Sequence, residues 1–331
     1  MTDSPRVSVI IPAKDVEPYI AEALRSLTYQ DLPGEDIEVV VVDDGSSDLT
    51  GDIAVGFEHC FGRFVLVRNA VPGGVSAARN QGMHTATGSS ITFLDSDDWY
   101  ANGHLRLMVE AFEGLGVDSV RTDHVHATGK KREFRRAPVH LRGRSLATAD
   151  YIAHGFEQTM VDFPNTSTGL YDRRLVDDGT LLFDESLRSA EDREWNWRVM
   201  LRTDTFAVID SPGPYYRRGV AGSLTAVYDD SQLDFIGSCA RTIALTRTRP
   251  EWRVFTTKAA HNLFALADVH LQRRKEMTRS LRQRLVDGVA RTGATLTDDE
   301  LGAVTESFSR KRLTTLAPIL RELESRRKGQ S

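Results

Sequence analysis

The stretch "VSVIIPAKDVEPYIAEALRSL", residues Val7–Leu27, decides the fold class. Val7 to Ile11 form a short, apolar, largely β-branched run, the pattern of a strand buried on both faces. Beyond Pro12 the period changes: Ile20, Ala23, Leu24 and Leu27 recur at helical spacing. The same alternation continues downstream. "IEVVVVDDGSSD" (Ile37–Asp48) reads as a second buried strand ending in acids, and "RFVLVRN" (Arg63–Asn69) as a third. "GVSAARNQGMHTA" (Gly74–Ala86) reads as a loop entering a helix, and "SSITFLDSDD" (Ser89–Asp98) as a fourth strand. Strands alternating with helices predict an α/β layer around a mostly parallel sheet.

The strand ends carry the chemistry. In "ITFLDSDDWY" (Ile91–Tyr100) an apolar run enters Asp95, Asp97 and Asp98. Taken alone, such a cluster is a turn, because Asp and Ser side chains bond nearby backbone groups. It is also the donor set of a divalent site, since Mg²⁺ and Mn²⁺ take oxygen ligands and Mg²⁺ is usually held by one or two carboxylates plus substrate phosphates. Pro12–Asp15 and Asp43–Ser47 make two more polar strand ends. Ligands of open α/β sheets bind beyond the carboxyl ends of the strands, so this convergence favours a site over three separate turns.

Composition narrows the class. The chain has 331 residues, 40% hydrophobic and 27% charged, with net charge −5. That predicts a soluble globular protein with room for two domains. No apolar run reaches the about 20 residues of a membrane span. "MTDSPRVSVIIP" has no basic segment before a long apolar core, so a cytoplasmic chain is expected. The two cysteines, Cys60 and Cys239, suit a reducing compartment. Mild acidity argues against nucleic-acid binding. An anionic substrate then needs a local positive centre, which a metal supplies.

"VSVIIPAKDVEPYIAEALRSL", "VVVVDDGSSD", "GVSAARNQG" and "FLDSDDW", in this order and spacing, resemble the inverting family 2 glycosyltransferases of the GT-A fold, over about Val7 to Thr225. The resemblance implies a first half that binds a nucleotide-diphosphate sugar, with UDP the default, and a DxD element holding Mn²⁺ or Mg²⁺. It places Pro12, Ala13 and Asp15 near base and ribose, Asp44 on the base, and Arg79 near base and diphosphate. Asp95 and Ser96 fall among the nucleotide-sugar contacts, Asp97 at the metal, and Asp98 in support of the loop. Where the family often stacks an aromatic residue on the base, this chain has Lys14, whose stem covers a ring without stacking.

In the second half, "LLFDESLRSAEDREWNWRVMLRT" (Leu181–Thr203) reads as a helix from Ala190, with Trp195 and Val199 on one face. Acids in a first turn are favoured by the helix dipole alone. The segment is nevertheless similar to the family's "ED" element and to the matching stretch of bacterial wall-teichoic-acid sugar transferases. That resemblance makes Asp192 the general base and Glu191 its neighbour. A sugar hydroxyl needs a base, and one base opposite the leaving group implies a single displacement with inversion. "PYYRRGVAGSLT" (Pro214–Thr225) resembles the family's closing loop, which makes Arg217 or Arg218 a phosphate ligand and Ser223 an assistant; the plain alternative is a strand and turn.

The resulting layout is a GT-A domain over 1–228, divided at 105/106 into nucleotide-sugar and acceptor halves, with a helical region over 229–331. "GKKREFRRAPVHLRGRS" (Gly129–Ser145) has little periodicity and reads as a mobile basic loop. Its alternatives are an anionic acceptor or an anionic membrane surface. Four downstream stretches read as amphipathic helices, with Thr297 as a cap three residues before Glu300. They suit acceptor binding, homo-oligomer formation or peripheral contact with the inner membrane face. The acceptor class is a glycan, a polymer or a lipid-linked sugar. Two rivals differ in kind. A nucleotidyltransferase more typically has a Gly-rich loop after its first strand, but "IIPAKDVEP" is Gly-free. A non-catalytic nucleotide-sugar or glycan-binding scaffold has no need of both "DSDD" and "AEDREW".

Overall fold

The structure, a computed structural model, describes residues 4–153, 155–211, 213–219 and 229–329. In chain order it runs β1 (Val7–Ala13), α1 (Ile20–Leu27), β2 (Ile37–Asp43), α2 (Thr50–Val55), β3 (Arg63–Arg68), α3 (Val75–Thr85), β4 (Ser90–Phe93), β5 (Trp99–Tyr100) and α4 (His104–Leu115). Then come β6 (Ser119–Thr122), β7 (His124–Thr128), β8 (Lys131–Arg135), β9 (Leu146–Ala147), β10 (Gly169–Asp172), α5 (Arg174–Asp177), α6 (Glu191–Arg202), β11 (Thr205–Ile209) and β12 (Pro214–Arg217). The last elements are α7 (Asp234–Thr246), α8 (Thr256–Gln272), α9 (Arg279–Gly293), α10 (Asp298–Glu306) and α11 (Arg310–Lys328).

An eight-stranded sheet in the order β3-β2-β1-β4-β10-β6-β11-β9 forms the centre. β1 pairs in parallel with β2 from Val7↔Ile37 to Ala13↔Asp43, and with β4 on its other side. Every residue of β1 and β2 is buried, as their apolar runs require. Alternate residues feed opposite faces. Val9, Ile11, Val39 and Val41 meet α1 and α4 through Leu24, Leu105 and Met108. Ile10, Val40 and Val42 meet Ala78 and Met83 of α3 in a cluster that also holds Trp195 and Val199 of α6. At Gly82 a Cβ would stand 2.4 Å from the Ile10 side chain, so this glycine lets α3 lie directly on the sheet. The same topology lines up the carboxyl ends of β1, β2 and β4, which carry the acids.

Two features depart from the sequence reading. β10 enters antiparallel between β4 and β6; its four residues, Gly-Leu-Tyr-Asp, are too few to show a period. The basic run after Gly129 is not a loop throughout. Lys131–Arg135 pair antiparallel with β7 from Thr128↔Lys131 to His124↔Arg135, and Gly129 turns the hairpin at φ 52°. This hairpin joins a four-stranded sheet, β5-β12-β7-β8, with β8 at its edge. An edge strand with solvent on both faces shows no apolar alternation, and its charges discourage further pairing.

The helical stretches past residue 229 form as expected, and Thr297 and Glu300 make a reciprocal capping box. The predicted final stretch divides into α10 and α11, restarted by the Ser309 cap. Of the cations in α11, Arg312 pairs with Asp268 of α8, Arg326 with Asp287 of α9 and Arg327 with Asp298 of α10, so they knit the bundle as well as facing solvent. No helix among the described residues is long and apolar enough to cross a membrane. The bundle is not separate from the sheet region. Trp197, Met200 and Leu201 of α6 and Phe206 of β11 share one core cluster with Phe235, Leu263, Phe264 and Leu285.

Truncation tests that shared core. Fully burying one such side chain contributes about 1.5–3 kcal/mol, and ending the chain at Asp230 uncovers several at once. Such a chain should lose cooperative thermal unfolding by near-UV circular dichroism; a cooperative melt like that of the full chain would contradict the shared core.

Candidate active site

The first wall of the site is a lacework between the loops after β1 and β2. Asp15, at φ 50°, accepts from the Ser47 backbone N–H at 2.8 Å and from its hydroxyl at 3.0 Å, while its own N–H donates to Ser46 Oγ. Asp tolerates this left-handed conformation better than most residues. Pro12 and Ala13 are buried at the end of β1, and Lys14 is exposed. Asp44 is buried, and its carboxylate accepts from the backbone N–H groups of Gly73 (2.9 Å) and Gly74 (2.7 Å) and from Asn69 Nδ2 (3.0 Å). It therefore shapes the loop leading into α3. Asp43 Oδ1 accepts from the Ser46 backbone N–H at 2.9 Å and closes the turn after β2.

The acid cluster follows β4. Asp98 is buried and accepts from the Arg217 backbone N–H at 2.7 Å, which ties the loop to β12. Arg217 also donates from Nε to the Asp97 carbonyl at 2.7 Å, pairs with Glu22, and lies 4.6 Å from the Trp99 ring centroid. Trp99 in turn stacks on Tyr215 at 5.1 Å. Burial, then the neighbouring Asp95, pushes the Asp97 carboxyl up to about 6. Burial and the charges of Asp95 and Asp97 hold Asp98 well above the usual carboxylate range. Ser96 is buried within the same turn.

The second wall is α6, and one residue joins the two. Arg79 of α3, 5% exposed, donates from Nη2 to Asp95 Oδ1 and from Nη1 to Glu191 Oε1, each at 2.8 Å. Its guanidinium also lies 5.0 Å from the Phe183 ring centroid. The next residue, Asn80, clamps the chain entering α6: Nδ2 donates to the Phe183 carbonyl at 2.9 Å, and Oδ1 accepts from the Phe183 N–H at 2.7 Å. Behind this, Trp195 stacks on Phe183 at 5.0 Å, meets Phe93 edge-on at 5.9 Å, and donates its indole N–H to the Leu181 carbonyl. The strand bearing the acid cluster and the helix bearing Asp192 are thus set by one aromatic block. The sequence placed Arg79 in the site but missed Asn80 and Phe183. The signal for Asn80 lay in its position, one residue after Arg79 on a helix facing the sheet.

Ala190 caps the start of α6 and is held at φ 56°. Non-glycine residues there carry strain of order 1–3 kcal/mol, and such strain clusters at functional sites. Glu191 and Asp192 occupy the first turn, as read from the sequence. Burial, then the charge of Glu191, pushes Asp192 up to about 7 against the pull of Arg193 and Arg79. The site therefore pairs an acidic rim on one side with a carboxyl poised near neutrality on the other. Arg218 lies 5.8 Å from the Tyr216 ring centroid, and Ser223 falls outside the described residues.

Removing Arg79 should separate the two walls. Breaking a buried ion pair by deleting one partner costs about 3–5 kcal/mol. Arg79→Met should lose that much in urea unfolding, and Arg79→Lys should recover only part, because one ammonium cannot fork to Asp95 and Glu191 together. Equal stability of Arg79→Met and the unaltered protein would show that the bridge carries no structural load.

Known proteins resemble this chain in sequence and in fold. The pattern described as "Glycosyl transferase family 2" matches residues 8–209. The uncharacterized glycosyltransferase EpsJ of Bacillus subtilis is 31% identical over 67% of this chain and 64% of its own length. The poly(ribitol-phosphate) beta-N-acetylglucosaminyltransferase TarS of Staphylococcus aureus is 29% identical over 64% of this chain and 35% of its own length. The chain thus spans about one third to two thirds of these relatives. Among solved structures, S. aureus TarS 1–349 in complex with UDP-GlcNAc superposes with a TM-score of 0.76 at 20% identity, covering 98% of this chain and 92% of that one. The mannosyltransferase PcManGT of Pyrobaculum calidifontis, in complex with GDP-Man and Mn²⁺, gives 0.56 at 15% identity, with 97% and 88% covered. The fold is that of the GT-A glycosyltransferases, and the chain belongs to glycosyl transferase family 2.

Proposed function

We propose that the protein is an inverting glycosyltransferase that moves a sugar, hexose or N-acetylhexosamine, from a UDP-sugar to a hydroxyl of a glycan, polymer or lipid-linked acceptor. The observation that carries this is the opposition of an acid cluster at the end of β4 and a carboxyl near neutrality at the start of α6, joined through Arg79. The resemblance to TarS, whose structure holds UDP-GlcNAc, supports the choice of donor. In this reading residues 1–105 hold the nucleotide sugar, 106–228 the acceptor and base, and 229–331 serve acceptor access or assembly. A non-catalytic scaffold has no use for a base poised near pH 7.

Pro12, Ala13 and Asp15 border the base and ribose. Asp44 acts on the base through the Asn69–Gly74 loop it fixes, because its oxygens already accept from Asn69, Gly73 and Gly74. Arg79, Asp95, Ser96 and Arg217 surround the diphosphate and sugar. Ser223, outside the described residues, is assigned the assisting role in loop closure. Among the described residues no group of three or more acidic, imidazole or thiol side chains forms a cage for a cation. Asp95 is engaged by Arg79 and Asp98 by the Arg217 N–H, and no ion pair reaches Asp97 among the described residues. One available carboxylate fits Mn²⁺ or Mg²⁺ held jointly with substrate phosphates. Such a cation, when bound at Asp97, stabilises the charge developing on the leaving diphosphate.

Asp192 takes the proton of the acceptor hydroxyl as its oxygen bonds to the anomeric carbon. The bond from that carbon to the diphosphate oxygen breaks in the same displacement, and the nucleoside diphosphate leaves with the electron pair. An α-linked donor then yields a β-glycoside. General-base efficiency is greatest when the base titrates near the working pH, and burial brings Asp192 there. Glu191 supports that shift and holds Arg79.

Two variants separate binding from chemistry. Asp192→Asn should bind UDP-GlcNAc as the unaltered protein does, yet lose about 10²–10⁴ in single-turnover transfer. Asp97→Ala should fail earlier, losing metal-dependent nucleotide affinity in calorimetry. The pH profile follows from the raised Asp192: protonated below about 7 it cannot accept a proton, so transfer should fall tenfold per unit below that point. Near-unaltered transfer by Asp192→Asn places the base elsewhere, with Glu191 next to test.

A further inference from the structure

The basic hairpin β7–β8 has a use that the nucleotide site does not explain. From Gly129 to Ser145 the chain carries seven Lys and Arg residues against one acid, Glu133, within a protein of net charge −5. Glu133 is already engaged by Lys131 and Arg135, and Arg142 by Asp123. Lys130, Arg136 and Arg144 are exposed and meet no carboxylate within ion-pair distance among the described residues. Charges on an edge strand guard against unwanted pairing, and that purpose alone accounts for cations on β8. It does not account for Phe134, 67% exposed in the middle of the strand, or for Leu141, 42% exposed a few residues beyond. Among the described residues Phe134 is the one exposed phenylalanine.

An exposed aromatic side chain flanked by cations along its strand has the chemistry of a bilayer interface. The cations meet anionic headgroups, and the ring enters the boundary with the acyl chains. A soluble anionic polymer would use the cations and leave Phe134 without a partner. The hairpin also reaches the active site. Arg132 lies 5.7 Å from the Trp99 ring centroid and 5.8 Å from that of Tyr215, and Arg217 covers Trp99 at 4.6 Å on the way to Asp97 and Asp98. We infer that the β7–β8 hairpin docks the protein on an anionic membrane surface through Phe134, Leu141 and the surrounding cations. Docking there brings the mouth of the site to a lipid-linked acceptor. The docking stands independently of the proposed donor and base; the acceptor reading rests on them.

The test uses the full chain and vesicles of phosphatidylcholine alone or mixed equally with phosphatidylglycerol. Cosedimentation should occur with the mixed vesicles, weaken as salt screens the surface, and be absent from phosphatidylcholine. Each cation lost should weaken binding about fivefold, so Lys130→Glu with Arg136→Glu should abolish it. Phe134→Ala should weaken it several-fold at every salt concentration. Melting temperatures of the variants, and their stabilisation by UDP with Mn²⁺, should match the unaltered protein. Absence of vesicle binding, or binding unchanged in both variants, overturns the inference. Capture of polyphosphate with equal strength by the unaltered protein and Phe134→Ala, without vesicle binding, assigns the hairpin to a soluble polymer and also overturns it. Vesicle binding without any UDP stabilisation leaves the docking intact and removes the nucleotide reading instead.

Discussion

A single buried guanidinium holds the site together. Arg79 belongs to α3, and its two carboxylate partners come from segments that share no backbone hydrogen-bond ladder: Asp95 follows β4, and Glu191 begins α6. Burial works against its charge, while Asp95 and Glu191 favour it. The pairing persists because a planar fork presents two parallel sets of N–H donors, something a lysine cannot do. Its consequence is geometric. Asp95 at the end of β4 and Glu191 beside Asp192 are registered to each other through three atoms of one side chain, not through the whole sheet.

The rest of the molecule keeps α6 where Arg79 needs it. On one flank, Phe183 and Trp195 pack against Phe93, so the helix leans on the strand that delivers the acids. On the other, Asn196 donates to the Met160 carbonyl and accepts from Arg121, which also donates to the carbonyls of Phe163 and Asn165. That loop is pinned by Lys258 of α8, 3% exposed, which donates to Asp162 and to the Glu157 carbonyl at 2.6 Å. Ser238 of α7 accepts from the Glu194 backbone N–H, within the first turn of the helix. The C-terminal helices are thus part of what holds α6 in place, and removing them disturbs more than a surface.

The sequence revealed the features whose cause is local. Continuous β-branched runs mark strands buried on two faces, and acids at their ends mark the rim, because both patterns sit in consecutive residues. Asp95 and Asp97 stand in such a run, while the proposed role of Asp192 comes from the resemblance of its segment to the family's element. What was hidden arises from contacts distant in the chain. Nothing near Arg79 announces Glu191, because the partners are brought together only by the packing of α3 and α6. Nothing near Asp44 in the sequence shows that its carboxylate accepts from the loop at Gly73 and Gly74, an arrangement that depends on how that loop folds back. β8 was invisible for another reason: a strand at a solvated edge needs no apolar face, and periodicity is the signal by which strands are found.

In the proposed reaction the donor lies against the β4 rim with its anomeric carbon between Asp97 and Asp192, across the Arg79 bridge. A crystal structure with UDP-GlcNAc and Mn²⁺ tests this. Density for the diphosphate and cation is expected at Asp95–Asp97, with Arg79 still joining Asp95 to Glu191 and the Asp192 carboxylate facing the anomeric carbon from the side opposite the diphosphate. A nucleotide bound elsewhere, or an anomeric carbon turned away from Asp192, would contradict it.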